Sequence, residues 1–143
     1  MLFKAFQNLS FSFAIDGFVN QMTADFETDA LDAEFASPTR SSLLSVLAAK
    51  YVSNKFLATA SVLSTLVSEH VEVGIPAENR QRLSPFISFV YKPFENQDIR
   101  LRTFYKNIFR LPTFNDLYYS RIGNVNLKPE TTNQFNLGIT YSV

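Results

Sequence analysis

The chain has 143 residues, enough for one ordinary domain, and its 13 basic side chains balance its 13 acidic ones. Since the net charge is zero, no electrostatic field attracts nucleic acid, and we predict no nucleic-acid partner. The absence of cysteine excludes a disulfide framework, a thiolate metal site and a cysteine nucleophile.

The aromatic composition favours β-strands. The chain contains 15 Phe, 6 Tyr and no Trp, and Phe and Tyr suit the half-buried surface of a pleated sheet. No window approaches the roughly 18 consecutive apolar residues of a membrane-spanning helix. The strands of a transmembrane barrel alternate apolar and polar residues, so this test does not detect them.

The first clear strand lies near the N-terminus, where apolar residues recur at every second position. These residues are Leu9, Phe11, Phe13 and Ile15. The alternation blurs after Gly17, so we predict a bulge there, beyond which Met22, Ala24 and Phe26 take over the apolar role. A long polar connection, Glu27 to Arg40, follows.

Two segments in the middle of the chain alternate poorly. Ser41 to Val52 and Phe56 to Val67 are rich in Ala, Leu, Val and Ser. The first could be helical on propensity alone, because Leu and Ala are good helix formers. We predict strands for both, separated by a short turn at residues 53–55 and followed by a long connection, His70 to Gln81.

Three later segments show the period of two again. Apolar residues occupy alternate positions in Leu83 to Tyr91, in Asp98 to Lys106 and, without interruption, in Gln134 to Val143. In the second of these segments the opposite face carries the cations Arg100, Arg102 and Lys106. Such charges are very costly in a dry core but suit a hydrated lumen.

The order and length of the segments predict the fold. Long and short breaks alternate, as they do in a barrel with long extracellular loops and tight periplasmic turns. The segments match the roughly 9 to 11 residues that a tilted strand needs to cross a bilayer. We predict an all-β fold, an antiparallel up-and-down meander of about six long strands that forms part of a transmembrane β-barrel. Tyr91 and Tyr141 would belong to its periplasmic aromatic girdle.

The most specific stretch is Asn107 to Gly138, NIFRLPTFNDLYYSRIGNVNLKPETTNQFNLG. It resembles TonB-dependent outer-membrane receptors, in which a strand ends in a phrase similar to FR-x-PT-F-x-DLY and is followed by a Gly-Asn loop, LKPE and a strand with a late LG. The matching residues are Phe109, Arg110, Pro112, Thr113, Phe114, Asp116, Leu117, Tyr118, Gly123, Asn124, Asn126, Leu127, Lys128, Pro129, Glu130, Leu137 and Gly138.

The resemblance implies a receptor in the bacterial outer membrane that binds a scarce nutrient at the cell surface for TonB-energised uptake. The cargo would be a siderophore, cobalamin, haem or glycan. Other implied partners are outer-membrane lipid, the plug and TonB. About six strands cannot close a barrel of roughly 22. We therefore expect residues 1–143 to be a fragment of the barrel domain, without the plug, the TonB-contacting segment or a signal peptide.

The long loop within this stretch holds the candidate ligand contacts, because aromatic side chains at the mouth of a barrel can grip a flat or apolar cargo. The candidates are Phe114, Asp116, Tyr118 and Tyr119. Turn chemistry explains most loop residues without any ligand. We expect this shaping role for Arg110, Pro112, Thr113, Gly123, Asn124, Leu127, Lys128, Pro129 and Glu130. In particular, Gly123 and Asn124 suit a turn with positive φ, and Arg110 could meet Glu130 across the base of the loop.

Nothing in the sequence supports catalysis, a cofactor or a metal centre. His70 is the only histidine, so the chain holds no His-based zinc or iron site. An acidic run in the first long connection lacks the spacing of a calcium loop, and we expect it to be solvated. It comprises Asp25, Glu27, Asp29, Asp32 and Glu34. We predict that the protein is not an enzyme.

Two other interpretations stay open at this point. A soluble lipocalin-like barrel would bind an apolar ligand inside and would place the Phe135, Leu137 and Ile139 row in its interior. A passive porin-type or adhesin-type barrel would share the strand pattern but would not need the Phe109 to Glu130 phrase.

Overall fold

Seven strands form one antiparallel sheet in which every strand pairs with its neighbours in sequence. This computed structural model describes residues 2–23, 35–119 and 122–142, with the backbone alone for residues 2–6. The strands are β1 (Leu2–Phe6), β2 (Leu9–Gln21), β3 (Thr39–Val52), β4 (Phe56–His70), β5 (Arg80–Tyr91), β6 (Asp98–Arg110) and β7 (Glu130–Ser142). The connection from β6 to β7 contains one short helix, α1 (Phe114–Tyr118).

The predicted meander of about six long strands is confirmed. β2 to β7 each have between 12 and 15 residues, and the five-residue β1 precedes them. The poorly alternating stretch at 41–52 is part of β3, not a helix, since it pairs with β4 along its whole length and with β2 as far as Tyr51. Both ladders override the local helix propensity of its Leu and Ala residues.

The bulge predicted after Gly17 is wrong. β2 pairs residue by residue with β3 from Leu9↔Tyr51 to Gln21↔Thr39, and Gly17 lies opposite Leu43 in that ladder. The alternation blurs because glycine contributes no side chain, not because the backbone is irregular. The irregularity is in β1 instead, where the register shifts between Lys4 and Phe6. Met22 lies beyond the end of β2, and Ala24 and Phe26 fall outside the described residues.

The cross-strand register sorts the side chains onto two faces, because paired residues of antiparallel strands point to the same side. One face, here called the apolar face, carries Leu9, Phe11, Phe13, Ile15, Val19, Leu43, Leu47, Tyr51, Phe56, Val62, Leu66, Leu83, Ile87, Phe89, Tyr91, Leu101, Tyr105, Phe135, Leu137, Ile139 and Tyr141. The other, the polar face, carries Ser10, Ser12, Asp16, Arg40, Ser42, Lys50, Thr59, Ser61, Thr65, Glu69, Arg82, Ser84, Ser88, Arg100, Arg102, Lys106, Gln134, Asn136 and Thr140, with several half-buried aliphatic and aromatic residues between them.

The apolar face is not covered by any described part of the chain. Phe135, Leu137 and Ile139 are 76%, 80% and 72% exposed, and Ile15 and Val19 on the far side of the sheet are also mostly exposed. The lipocalin-like interpretation requires the Phe135 row to be interior, so the structure opposes it. As predicted, the register places the apolar row on one face and cations such as Arg102 on the opposite face.

The connections differ at the two ends of the sheet. Short turns at 7–8, 53–55 and 92–97 lie at one end, and the long connections 22–38, 71–79 and 111–129 lie at the other. The buried apolar cluster sits at the long-loop end. It consists of Val71, Ala77, Leu117 and Tyr118, with Ala36, Phe114 and Val125 packed against it. The loops therefore form a small core of their own on top of the sheet.

Two neighbouring strands separate towards the long-loop end. β5 and β6 pair only from Phe86↔Lys106 to Tyr91↔Leu101, although β5 begins at Arg80 and β6 continues to Arg110. Pairing stops next to Pro85, which has no N–H to donate to a ladder. The upper part of β5 stays paired with β4, and the upper part of β6 with β7, so a cleft opens between them.

Candidate functional site

The connection between β6 and β7 begins with a capped helical turn. The Thr113 hydroxyl oxygen accepts a hydrogen bond from the Asp116 N–H at 3.2 Å, while the Asp116 carboxylate accepts from the Thr113 N–H at 2.8 Å and from its hydroxyl at 2.7 Å. This reciprocal capping box satisfies donors that a helix start leaves without partners. The hydrogen bonds from the Thr113 side chain and backbone lower the pKa of Asp116 below its ordinary value of 3.8.

Gly123 lets the chain return directly beneath this helix. Its N–H donates to the Tyr119 carbonyl oxygen at 2.7 Å, and the Asn124 N–H donates to the Asp116 carbonyl oxygen at 2.9 Å. A Cβ on Gly123 would lie 2.7 Å from the Leu117 carbonyl oxygen and from the Tyr119 nitrogen, so no side chain fits. The predicted positive φ at Gly123 is wrong: among the described glycines only Gly74 has one. Close backbone approach is what requires glycine here.

Tyr118 joins this loop to the connection between β4 and β5. It is 8% exposed, and its hydroxyl oxygen accepts a hydrogen bond from the Ala77 N–H at 2.9 Å. Burial raises the pKa of Tyr118 above its ordinary value of 10.0, because the charged phenolate would lose its hydration. The ring and the hydroxyl are thus both used to hold two long loops together.

Arg40 holds the β6–β7 loop against β3, which lies three strands away from β6 in the sheet. It lies directly across from Glu69 in the β3–β4 ladder, and its Nε donates to Glu69 Oε1. A second nitrogen, Nη2, donates to the Pro112 carbonyl oxygen at 3.0 Å, and the guanidinium carbon lies 4.9 Å from the centre of the Phe114 ring. Both charged side chains are nearly enclosed, with 11% of Arg40 and 2% of Glu69 exposed. One cation therefore contacts a carboxylate, a carbonyl and an aromatic face.

A family model described as "TonB dependent receptor-like, beta-barrel" matches residues 38–143, which include β3 to β7 and the loop with α1. The chain belongs to this family of TonB-dependent receptor β-barrels. This match confirms the resemblance found in the loop sequence. The family consists of outer-membrane receptors and transporters rather than enzymes. A comparison with curated proteins found no match.

The four candidate ligand contacts in the β6–β7 loop differ in their exposure and in the contacts that they already make within the protein. Tyr118 is buried, and Phe114 is half-buried under Arg40. Asp116 is exposed and caps α1. Tyr119 is 57% exposed, and its backbone forms hydrogen bonds with Asn115, Ile122 and Gly123. Tyr119 is thus the candidate whose ring stands most open to a ligand.

Several residues of the predicted loop motif make contacts within or at the base of the loop. Arg110 and Glu130 are register partners whose charged atoms approach to 3.7 Å, so the predicted contact across the base of the loop is present. Both side chains are largely exposed, with 69% and 75% accessible, and such a pair adds about 1 kcal/mol or less. Asn124 Oδ1 accepts from the Asn126 N–H at 2.9 Å, which is the side-chain turn expected of asparagine.

Leu127, Lys128 and Pro129 lead from this turn into β7, and the last two border a cleft between β5 and β6. The Leu127 carbonyl oxygen accepts from Arg80 Nη2 at 3.3 Å. Lys128 and Pro129 line the cleft, which has a volume of about 470 Å³. Its other lining residues are Glu78, Arg80, Gln81, Arg82, Phe109, Val125, Asn126 and Thr131. The loop therefore roofs a basic cleft that the sequence alone did not indicate.

No arrangement of three or more His, Asp or Glu side chains suited to a metal ion occurs within the described ranges. The acidic run, Asp25, Glu27, Asp29, Asp32 and Glu34, lies outside the described residues. His70 is the last residue of β4 rather than part of a loop, because the ladder with β3 extends to Thr39↔His70. No helix in the described part of the chain has the length and apolar character needed to cross a membrane.

Proposed function

We propose that this protein forms part of the barrel wall of a receptor in the bacterial outer membrane. Such a receptor binds a scarce nutrient at the cell surface and delivers it to the periplasm with energy from TonB. The observation that carries the proposal is the exposed apolar face. Phe135, Leu137 and Ile139 are each more than two-thirds exposed. A side chain of this size gains about 1.5 to 3 kcal/mol on leaving water, and acyl chains supply that environment for the whole face.

Aromatic side chains at the short-turn end support the same orientation. Phe56 stacks on Tyr91 with ring centres 4.8 Å apart, and Tyr51 and Tyr141 lie on the same face near the same end. Tyrosines at the edge of an apolar band keep the ring in hydrocarbon and the hydroxyl among head groups. The short turns then lie in the periplasm and the long connections at the cell surface.

The open edges of the sheet indicate that the barrel wall contains further strands. Among the described strands, β1 and β7 each have a neighbour on one side only. In lipid an unsatisfied backbone group costs several kcal/mol, so spanning strands occur in closed barrels. We propose that residues 1–143 are a segment of the barrel domain and that further strands pair with both edges. The plug and TonB belong to the same proposal and come with the family.

In this proposal, the loops at the long-loop end bind the cargo. The loops there are held in one arrangement by the buried cluster and by Arg40. Tyr119 projects from that arrangement. Phe114, Asp116 and Tyr118 lie in or beside the same helix. The four candidates would contact a siderophore, cobalamin, haem or glycan. Outer-membrane lipid covers the apolar face.

Cysteine labelling tests the orientation of the wall, because the natural chain has no cysteine. Ile87 and Ser88 are neighbours on β5, a strand paired on both sides, and they point to opposite faces. In outer membranes from cells that produce the protein, Ile87→Cys should resist a water-soluble maleimide and react with a lipid-soluble one. Ser88→Cys should show the reverse preference. Equal labelling of both positions from water would exclude the membrane assignment.

Uptake is tested separately. Cells that produce the complete receptor containing residues 1–143 should accumulate labelled cargo only when TonB is functional, and iron-siderophore complexes, haem and cobalamin can be compared in the same strain. Tyr119→Ala should reduce binding of the accepted cargo, whereas Thr103→Ala, on the apolar face of β6, should not. Uptake that continues unchanged without TonB would refute energised transport and favour a passive pore.

A further inference from the structure

The cleft between β5 and β6 is positively charged and has its own geometry. We propose that it binds the phosphate or carboxylate group of an anionic ligand, with Arg80, Arg82 and Lys128 as its cationic contacts. This inference goes beyond the proposed function, which assigns no charge to the cargo and no ligand to this part of the wall. It does not require TonB-dependent uptake.

The cleft exists because the sheet divides. Below it, β5 and β6 are paired as far as Phe86↔Lys106. Above that point Arg82 stays with β4, opposite Thr65, while Phe109 stays with β7, opposite Thr131. The turn at 125–126 and the approach to β7 close the opening from above. A gap in a sheet that is walled by two strands and roofed by a loop is a concave site rather than a flat surface.

Charge in the cleft is not balanced. Of the ten lining residues, three are cations and one, Glu78, is an anion. Glu78 is already taken, since its carboxylate accepts from Arg80 Nη1 at 2.8 Å and is itself largely exposed. Arg82 and Lys128 form no ion pair with any described residue. Two positive charges therefore remain for a ligand to neutralise.

Arg82 gives the clearest indication of a missing partner. Its Nε is buried and has no hydrogen-bond acceptor among the residues that the structure describes. A buried donor without an acceptor is destabilising, and more so when the group is charged. Arg80 beside it is held in place through the Glu78 carboxylate and the Leu127 carbonyl oxygen. One guanidinium is thus fixed and the other lacks an acceptor, which a phosphate or carboxylate oxygen would supply.

The position of the cleft limits the source of the anion to two. Its lining includes Arg82 from the polar face and Phe109 and Thr131 from the apolar face, so residues of both faces meet in it. The anion can belong to a soluble ligand that arrives from the long-loop side or to the head group of a lipid at the membrane surface. The cleft volume of about 470 Å³ accommodates a phosphate and the atoms next to it.

Phosphate titration of the purified protein tests the site. In alkyl glycoside micelles, which contain no phosphate, inorganic phosphate should bind in isothermal titration calorimetry. Arg82→Gln should weaken binding by about tenfold or more, since a charged hydrogen bond is lost. Lys128→Gln should cause a smaller loss, of about fivefold or less, because that side chain is exposed. Arg82→Lys should bind phosphate more tightly than Arg82→Gln but less tightly than the unchanged protein, because lysine keeps the positive charge but not the planar, two-nitrogen geometry of the guanidinium.

Arg102→Gln is the matched control. Arg102 also lies on the polar face without an ion pair among the described residues, but it sits on the paired part of β6, opposite Val90. This control should bind phosphate as the unchanged protein does. Equal weakening by Arg102→Gln and Arg82→Gln would overturn the proposal, as would unaltered binding in both Arg82→Gln and Lys128→Gln, or no binding by the unchanged protein.

A competition experiment distinguishes a lipid head group from a soluble ligand as the source of the anion. If short-chain phosphatidic acid displaces phosphate from the unchanged protein, and Arg82→Gln weakens both, the site takes a lipid head group. If the lipid does not compete, the site takes the anionic group of a soluble ligand. The Ile87 and Ser88 labelling is repeated in the Arg82→Gln background. Normal labelling with lost phosphate binding places the failure in the cleft and not in membrane assembly.

Discussion

The Arg40–Glu69 pair offers a sharp test of how the long-loop end is held. Arg40→Met keeps most of the side-chain length and removes the charge that Glu69 needs. Only 2% of the Glu69 side chain is exposed, and its Oε2 already lacks a hydrogen-bond partner among the described residues. Removing one member of a buried pair costs about 3 to 5 kcal/mol, since the other charge stays enclosed without compensation. Loss of the Pro112 and Phe114 contacts is part of the same figure, because these contacts share one guanidinium.

Hydrogen exchange of the protein in micelles measures the free-energy cost of Arg40→Met at individual amides of the long loops. The amides of Ala77 and Leu117 report opening of the loop core, since one donates to Tyr118 and the other to the first turn of α1. Their opening free energy should fall by about 3 to 5 kcal/mol in Arg40→Met, or to zero if the core is less stable than that. Amides in the middle of β4 should change little.

Two further variants show whether the buried charge is responsible. Arg40→Met combined with Glu69→Leu removes both charges, and replacing a whole buried pair by apolar side chains is near neutral. The double variant should therefore be more protected than Arg40→Met alone. Arg110→Met breaks the other cross-strand Arg–Glu pair, which is exposed, and should cost about 1 kcal/mol or less. If Arg40→Met and Arg110→Met had equal effects, burial would not be the cause and the reasoning would be refuted.

Four other expected outcomes concern the loops. Gly123→Ala should open the loop in hydrogen exchange by about 1 to 3 kcal/mol, because its Cβ would meet backbone atoms at 2.7 Å; unchanged protection would contradict the packing. Tyr118→Phe leaves the buried Ala77 N–H without its acceptor and should cost about 1 to 3 kcal/mol in the same experiment. The pKa of Tyr118 is raised in the folded loop, so its contribution is complete below pH 10.0 and is lost only as pH rises through the higher folded value, which an ultraviolet titration of tyrosinate should show. The pKa of Asp116 is lowered, so the cap with Thr113 contributes fully above pH 3.8 and is lost as pH falls through the folded value; an Asp116→Asn variant should lack this acid transition in an NMR titration.

The strands could be predicted from the sequence because a two-residue period is a local property. Leu137 and Ile139 are recognisable as one face without knowledge of their partners, and the structure places both on the exposed apolar face. Gly17 shows the limit of this approach. A missing side chain and a backbone bulge disturb the alternation in the same way, and only the ladder with β3 distinguishes them.

The contacts of the candidate site depended on information that a single sequence does not contain. Arg40 was assigned to the end of an acidic connection, yet it lies in β3 opposite Glu69, 29 positions later. That pairing follows only from the register of two strands whose own alternation is poor. The reason for Gly123 lies closer in sequence but also depends on the folded loop, since the atoms that exclude a side chain belong to Leu117 and Tyr119 once the helix has formed.

The path of the β6–β7 loop explains how its contacts with Arg40 and Arg80 act together. β6 is followed by Pro112 and Phe114, which contact Arg40 on β3, three strands away in the sheet. The chain then returns over β5, where Leu127 accepts from Arg80, and only then enters β7. A loop fixed at both ends of this path spans the separated edges of β5 and β6 instead of filling the gap between them. The Arg40 contacts thus keep the loop extended across the sheet, and the basic cleft stays open beneath it.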